Sequence, residues 1–102
     1  MIPNAEKRTL LTVITEAVIE QSLLRDLESL GVRGYTVSDA RGRGSRGVRD
    51  AAWDEVANIR IEVICQRTQA ELLLAHIQDQ YYADYAMIAF LVEIEILRGE
   101  KF

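Results

Sequence analysis

From Lys7 to Thr15 the chain reads Lys-Arg-Thr-Leu-Leu-Thr-Val-Ile-Thr, β-branched or apolar at successive positions. A run that is apolar on both faces predicts a central strand covered on each side. Ile19, Leu23, Leu27 and Leu30 then recur at helical spacing, with Glu20, Arg25, Asp26 and Glu28 between them. Gly31 follows at the position where a helix commonly ends. Gly34 to Ser38 reads as a short second strand. Ile59, Ile61, Val63 and Cys65 alternate with Arg60, Glu62 and Ile64, which predicts a third strand with one apolar face. Thr68-Gln69-Ala70-Glu71 matches a capping box, so a second helix is expected to open there and to carry Leu72, Leu73 and Ile77 inward. Ile88, Phe90, Val92, Ile94 and Ile96 take alternate positions of a last strand, closed by Arg98-Gly99.

The order is βαββαβ, an α+β, ferredoxin-like pattern of a four-stranded antiparallel sheet with two helices on one face. The opposite face keeps apolar character from the first strand and from Leu91. Apolar surface of that kind marks an interface, so a homo-oligomer is expected. One domain spans 1–102, without repeats or low-complexity tracts.

Residues 39–56 carry no stable periodicity. A stretch that long in a compact domain is functional or disordered. It contains Asp39-Ala40-Arg41-Gly42-Arg43-Gly44-Ser45-Arg46-Gly47-Val48-Arg49-Asp50, with four arginines in nine positions and no acid among them. Glycines let backbone approach an anion, N–H groups in a nest add donors, and guanidinium forks match phosphate oxygens bidentately. Arg46 and Arg49 suit one phosphate from two sides, and Ser45 adds a hydroxyl. The bland alternative is a solvated basic loop with no ligand. The net charge of −4 makes this local positive field stand out, and it favours a small anion over general nucleic-acid affinity.

Gly42-x-Gly44-x-x-Gly47 formally matches a dinucleotide fingerprint. That motif needs a strand before it and a helix opening within it, and too few residues remain before the third strand for a crossover helix. An RNA-recognition module shares the strand order, but its third strand carries stacking aromatics. Here that strand reads Asn-Ile-Arg-Ile-Glu-Val-Ile. An RNA-binding module using the basic loop, and a small nucleotide-processing enzyme, stay as alternatives.

Other residues add little chemistry. Cys65 is single, so no internal disulfide or multi-cysteine metal site forms, and it reads as a buried hydrophobe. His76 is the only histidine, with Asp79 as its nearest acid on the same helix and no evident partner. Trp53 either anchors the loop or meets a partner, as Arg41 and Arg43 would. No catalytic triad, paired catalytic carboxylates or metal spacing can be assembled, so no enzymatic activity, catalytic residue or permanent cofactor is expected. No apolar run approaches the roughly 20 residues of a membrane helix and no signal peptide is evident, so a cytoplasmic protein is expected, touching a membrane only through a partner.

Four segments in order carry a resemblance: Gly34-Tyr35-Thr36-Val37, Gly44-Ser45-Arg46-x-x-Arg49, Ala57-Asn58-Ile59-x-x-Glu62 and Tyr82-x-Asp84-Tyr85-Ala86. Together they resemble PII-like signalling proteins over about Arg8 to Phe102, and within them the SbtB-type and carboxysome-associated branch linked to bicarbonate uptake. The resemblance implies a homotrimer with an adenine nucleotide in each cleft between neighbours. Gly34 and Thr36 would lie beside the base or ribose, with backbone at Ala86 and Met87 closing over it. Residues 39–56 would correspond to the mobile T-loop. Gly44, Ser45, Arg46 and Arg49 would face the phosphates, and Glu62 would lie on the ligand side or pair with an arginine. AMP, ADP, ATP or cyclic AMP are implied as effectors, with bicarbonate as an anion for Arg46 and Arg49. A bicarbonate transporter or carboxysome component is implied as partner.

Two departures stand out. The turn before the last strand, Tyr82-Ala83-Asp84-Tyr85, lacks the basic residue of the larger family, which favours a mono- or diphosphate. Glu100-Lys101-Phe102 holds no cysteine pair, so redox control through one is not expected.

Overall fold

The computed structural model describes residues 2–42 and 57–102. Strand β1 (Glu6–Glu16) runs through a 3-10 turn (Ala17–Ile19) into helix α1 (Glu20–Ser29). Strands β2 (Thr36–Ala40) and β3 (Asn58–Cys65) follow, then helix α2 (Arg67–Tyr81), strand β4 (Met87–Ile96) and a 3-10 turn at Gly99–Lys101. The sheet order is β2-β3-β1-β4, and every neighbouring pair is antiparallel. The fold is the expected ferredoxin-like one, with β1 central.

Register decides which side chains meet. Leu11 sits between Val63 and Leu91, and Val13 between Ile61 and Ala89. These rows face the helices, where Leu23, Leu27, Ala70, Leu73 and Ile77 are buried against them. Each fully buried leucine, isoleucine or valine here contributes about 1.5–3 kcal/mol, so this layer is the main source of stability. Thr9 and Thr15 close the layer at its two ends. The Thr9 hydroxyl donates to Glu93 Oε2 at 2.9 Å, and the Thr15 hydroxyl to the Ala86 carbonyl at 3.0 Å.

The opposite face differs from the sequence expectation. Leu91 packs into the helix-side core with Met87 and Ala89, while Ile88, Phe90 and Val92 point away from it and are exposed. β4 is apolar at both parities, so alternation alone does not say which set faces the helices. Pairing of Leu11 with Leu91 settles it. The open face is consequently more apolar than expected: Leu10, Ile14 and Ile64 extend the row of Ile88, Phe90 and Val92.

Three smaller expectations are corrected. The capping box does not form: α2 begins at Arg67 with Gln66 as its cap and no side-chain cap bond. Glu71 instead accepts from Arg67 Nε at 2.9 Å, one helical turn away. Leu72 is 69% exposed, because three successive leucines cannot all share one helix face; Leu73 takes the buried position. β2 runs from Thr36 to Ala40, two residues later at both ends than expected, since its ladder with β3 begins at Thr36–Glu62 and takes in Asp39–Ile59 and Ala40–Asn58, so the loop begins at Arg41 and not at Asp39. Gly31 ends α1 as expected, at φ +97°.

A cleft at the sheet end and its two separated edges

The late start of β2 leaves a concavity at the end of the sheet. Pairing stops at Thr36–Glu62, so the β2-side edge of Val63–Cys65 is left to a cleft of about 440 Å³. Gly31, Val32, Arg33 and Gly34 form one wall together with Gln69; Val63, Ile64 and Cys65 form the floor, and Glu100, Lys101 and Phe102 the far wall. The floor is apolar, and burial pushes the Cys65 thiol upward in pKa, which keeps it protonated. Arg33 and Lys101 bring positive charge and Glu100 a negative one. Gly31 fits because its left-handed backbone suits no side chain, and an added Cβ would stand 3.3 Å from Gln69 Nε2. Gln69 in turn donates to the Leu30 carbonyl at 3.4 Å, tying this wall to α2.

The sequence-predicted residues fall into three groups. Gly34 lines the cleft, and Thr36 stands at its edge, opposite Glu62. Glu62 shares the open face with Arg60, whose Nε lies 3.6 Å from Glu62 Oε2, as an arginine partner would. Ala86 and Met87 lie elsewhere. Met87 starts β4 and Ala86 immediately precedes it, on the far edge of the sheet and at the end where Ala40 pairs with Asn58. Three strand spacings of about 4.8 Å separate the β2 and β4 edges, so one chain does not bring Gly34 and Met87 together. Gly44, Ser45, Arg46 and Arg49, together with Arg43 and Trp53, lie outside the described residues. Arg41 is exposed just beyond β2.

The backbone of Ala86 is already engaged. Its N–H donates to Glu16 Oε2 at 2.8 Å, and its carbonyl accepts the Thr15 hydroxyl. Glu16 is a neighbour that sequence reasoning missed, because register and not spacing brings the end of β1 beside the start of β4.

Arg33, Lys101 and Phe102 were also missed as cleft residues. Arg33 sits beside Gly34 and had a readable charge, but nothing local tells that the segment after β4 folds back to face it.

His76 has a partner after all. Its Nε2 lies 2.9 Å from Asp26 Oδ2 on α1, and the Tyr81 hydroxyl donates to the same oxygen at 2.7 Å. Asp26 is fifty residues away along the chain, on the other helix, so the spacing along α2 points only to Asp79. On the open face, the Thr12 hydroxyl is fully buried with no hydrogen-bond partner. β3 presents Arg60, Glu62 and Ile64 on that face, without the stacking rings an RNA-recognition module uses there. Among the described residues there is no cluster of three metal-ligating side chains, and no helix is long and apolar enough to cross a membrane.

Comparison with known proteins places this architecture. The profile of the nitrogen regulatory protein P-II family matches residues 8–101. A protein assigned to PII-like signalling from Thermus thermophilus is 36% identical, with 97% of this chain and 98% of that chain covered and a TM-score of 0.81. CPII from Thiomonas intermedia, solved with ADP and bicarbonate, is 24% identical over 96% of each chain, at a TM-score of 0.80. The same protein solved with ADP, AMP and acetate gives 23% identity, 96% of each chain and a TM-score of 0.83. The chain belongs to the P-II family of signalling proteins.

Proposed function

We propose that this P-II family member is an adenine-nucleotide sensor that binds ADP or AMP between neighbouring chains and signals through residues 41–56, the loop that follows β2. The carrying observation is the separation of the two half-sites. Gly34 and Thr36 stand beside an open cleft on one sheet edge, and Ala86 and Met87 on the other. In an assembly that sets one chain's β2 edge against its neighbour's β4 edge, the halves complete each other. The exposed Ile88, Phe90 and Val92 supply the apolar surface such an assembly needs, and a homotrimer is the arrangement we favour.

In this reading the apolar floor of the cleft takes the base, and the unpaired edge of Val63–Cys65 offers backbone groups to its rim. Gly44, Ser45, Arg46 and Arg49 take the phosphates, and bicarbonate is an anion that Arg46 and Arg49 suit. The ligands of CPII, ADP with AMP or bicarbonate, support this choice of chemistry. The whole chain, 1–102, acts as one unit in the cytoplasm, with Arg41, Arg43 and Trp53 toward a partner. A bicarbonate transporter or a carboxysome component is the partner class.

Loop ordering is the output. Fixing a residue's backbone costs about 1–2 kcal/mol, while a hydrogen bond to a charged group returns about 1.5–3 kcal/mol. Three or four such bonds order only a short part of 41–56, so a nucleotide changes which part a partner meets. Calorimetric titration with AMP, ADP, ATP and cyclic AMP, each with and without bicarbonate, tests the reading. Saturable binding of ADP or AMP supports it, and silence toward every adenylate rejects it.

A further inference from the structure

Arg8 lies on the open face of β1, yet its side chain is only 12% exposed. Each of its three guanidinium nitrogens donates to a backbone oxygen. Nη2 donates to the Gly99 carbonyl at 2.7 Å, Nε to the Phe102 backbone oxygen at 3.1 Å, and Nη1 to the Lys7 carbonyl at 2.7 Å. Glu6 Oε2 lies 3.6 Å from Nη2 and balances the charge. Two of the three acceptors belong to the turn that follows β4.

That turn is shaped to meet the fork. Arg98 adopts a left-handed conformation, φ 60°, and reverses the chain. Gly99 then passes so close to β1 that an added Cβ would overlap the Glu6 carboxylate and come within 2.9 Å of Arg8 Nη2. Its own short bonds, Lys101 N–H to the Arg98 carbonyl and Phe102 N–H to the Gly99 carbonyl, both at 3.0 Å, close the turn without fixing where it sits. Arg8 fixes that. Residues 100–102 form the far wall of the cleft and carry Lys101, one of its two cations.

We propose that Arg8 is a positioning residue for the nucleotide cleft: by holding the Gly99 and Phe102 oxygens, it sets the wall that brings Lys101 and Phe102 against a bound adenine nucleotide. This rests on the reading of the cleft given under the proposed function. Arg8 touches no ligand itself. A lysine at this place keeps the charge but loses the planar fork that spans both oxygens, so it is not an equivalent.

The test measures ADP affinity in the parent chain and in Arg8→Met, Arg8→Lys, Gly99→Ala and the Arg8→Met/Gly99→Ala double variant. Amide exchange over residues 99–102 is followed alongside. We expect each single variant to weaken ADP binding at least about fivefold and to speed exchange at 99–102, because preorganisation of the wall is lost. The double variant should be no weaker than the worse single one, since both act on one turn. A merely structural arginine would lower the melting temperature without this non-additivity in ligand affinity.

Single variants that bind ADP within about twofold of the parent would overturn the proposal, as would losses that multiply in the double variant. If Arg8→Met fails to fold, Arg8→Lys and Gly99→Ala decide by the same criterion. A parent chain that takes up no ADP removes the cleft reading and the proposal with it. A parent that binds beside indifferent variants removes only the role of Arg8.

Discussion

The Asp26 carboxylate on α1 lies 2.9 Å from His76 Nε2 on α2, and the same oxygen accepts the Tyr81 hydroxyl at 2.7 Å. Ser22 Oγ completes the group, 2.7 Å from the Tyr81 hydroxyl. Burial disfavours the Asp26 charge, but hydrogen bonding with His76 and Tyr81 and electrostatic attraction to His76 and Arg25 outweigh it. The carboxyl therefore sits below its ordinary value of 3.8. The cluster is a polar link between two helices whose buried leucines and isoleucine share one core.

A pH dependence follows from that shift. Asp26 is harder to protonate folded than unfolded, so the stability it contributes is present above its unfolded value and lost as pH falls through the folded one. Asp26→Asn should be less stable than the parent at about pH 6, with the gap narrowing below about pH 4, as urea unfolding at a series of pH values would read. A gap that stays constant through the acid range contradicts the assignment.

Gly31 offers a backbone test. At φ +97° an alanine is strained, and its Cβ meets Gln69 Nε2 at 3.3 Å. Gly31→Ala should cost about 1–2 kcal/mol in chemical denaturation. A neutral result would mean that the α1–β2 connection relaxes freely, and the cleft wall it forms would then be less fixed than described.

The fold was largely legible in the sequence because it is written in local period: the β-branched runs, the 3.6-residue spacing from Ile19, and Gly31. What escaped depends on register. Nothing near Leu91 says that it pairs with Leu11, so the two faces of β4 could be exchanged on paper. Nothing near His76 points to Asp26, and nothing near Gly99 points to Arg8. The cleft shows the same division. Gly34 and Thr36 were readable from a four-residue motif, whereas Lys101 and Phe102 arrive through a chain reversal at Arg98 that local pattern does not encode.

The loop arginines were readable as chemistry and not as geometry. Arg46→Ala should lower ADP affinity at least about tenfold while leaving the assembly intact, the loss expected for one charge-assisted fork on a phosphate. Competition binding checks the first part and light scattering the second. Unchanged affinity would take Arg46 out of the site.

Assembly and ligand binding can also be separated. Phe90 and its neighbours Ile88 and Val92 leave an apolar strip on the open face, above the unpartnered Thr12 hydroxyl. A buried carboxylate at such a seam is costly. Phe90→Asp should give a folded single chain by light scattering. A variant that keeps the parent's mass would mean that the open face is not the seam.

ADP titrated into the parent protein and into the Phe90→Asp single chain, followed by calorimetry, addresses the shared-site reading without intermediaries. Gly34 and Met87 of one chain are too far apart to hold one nucleotide, so the account predicts saturable binding by the assembled protein and none by the isolated chain. Equal affinity in both forms, or no binding by the assembly, would contradict it.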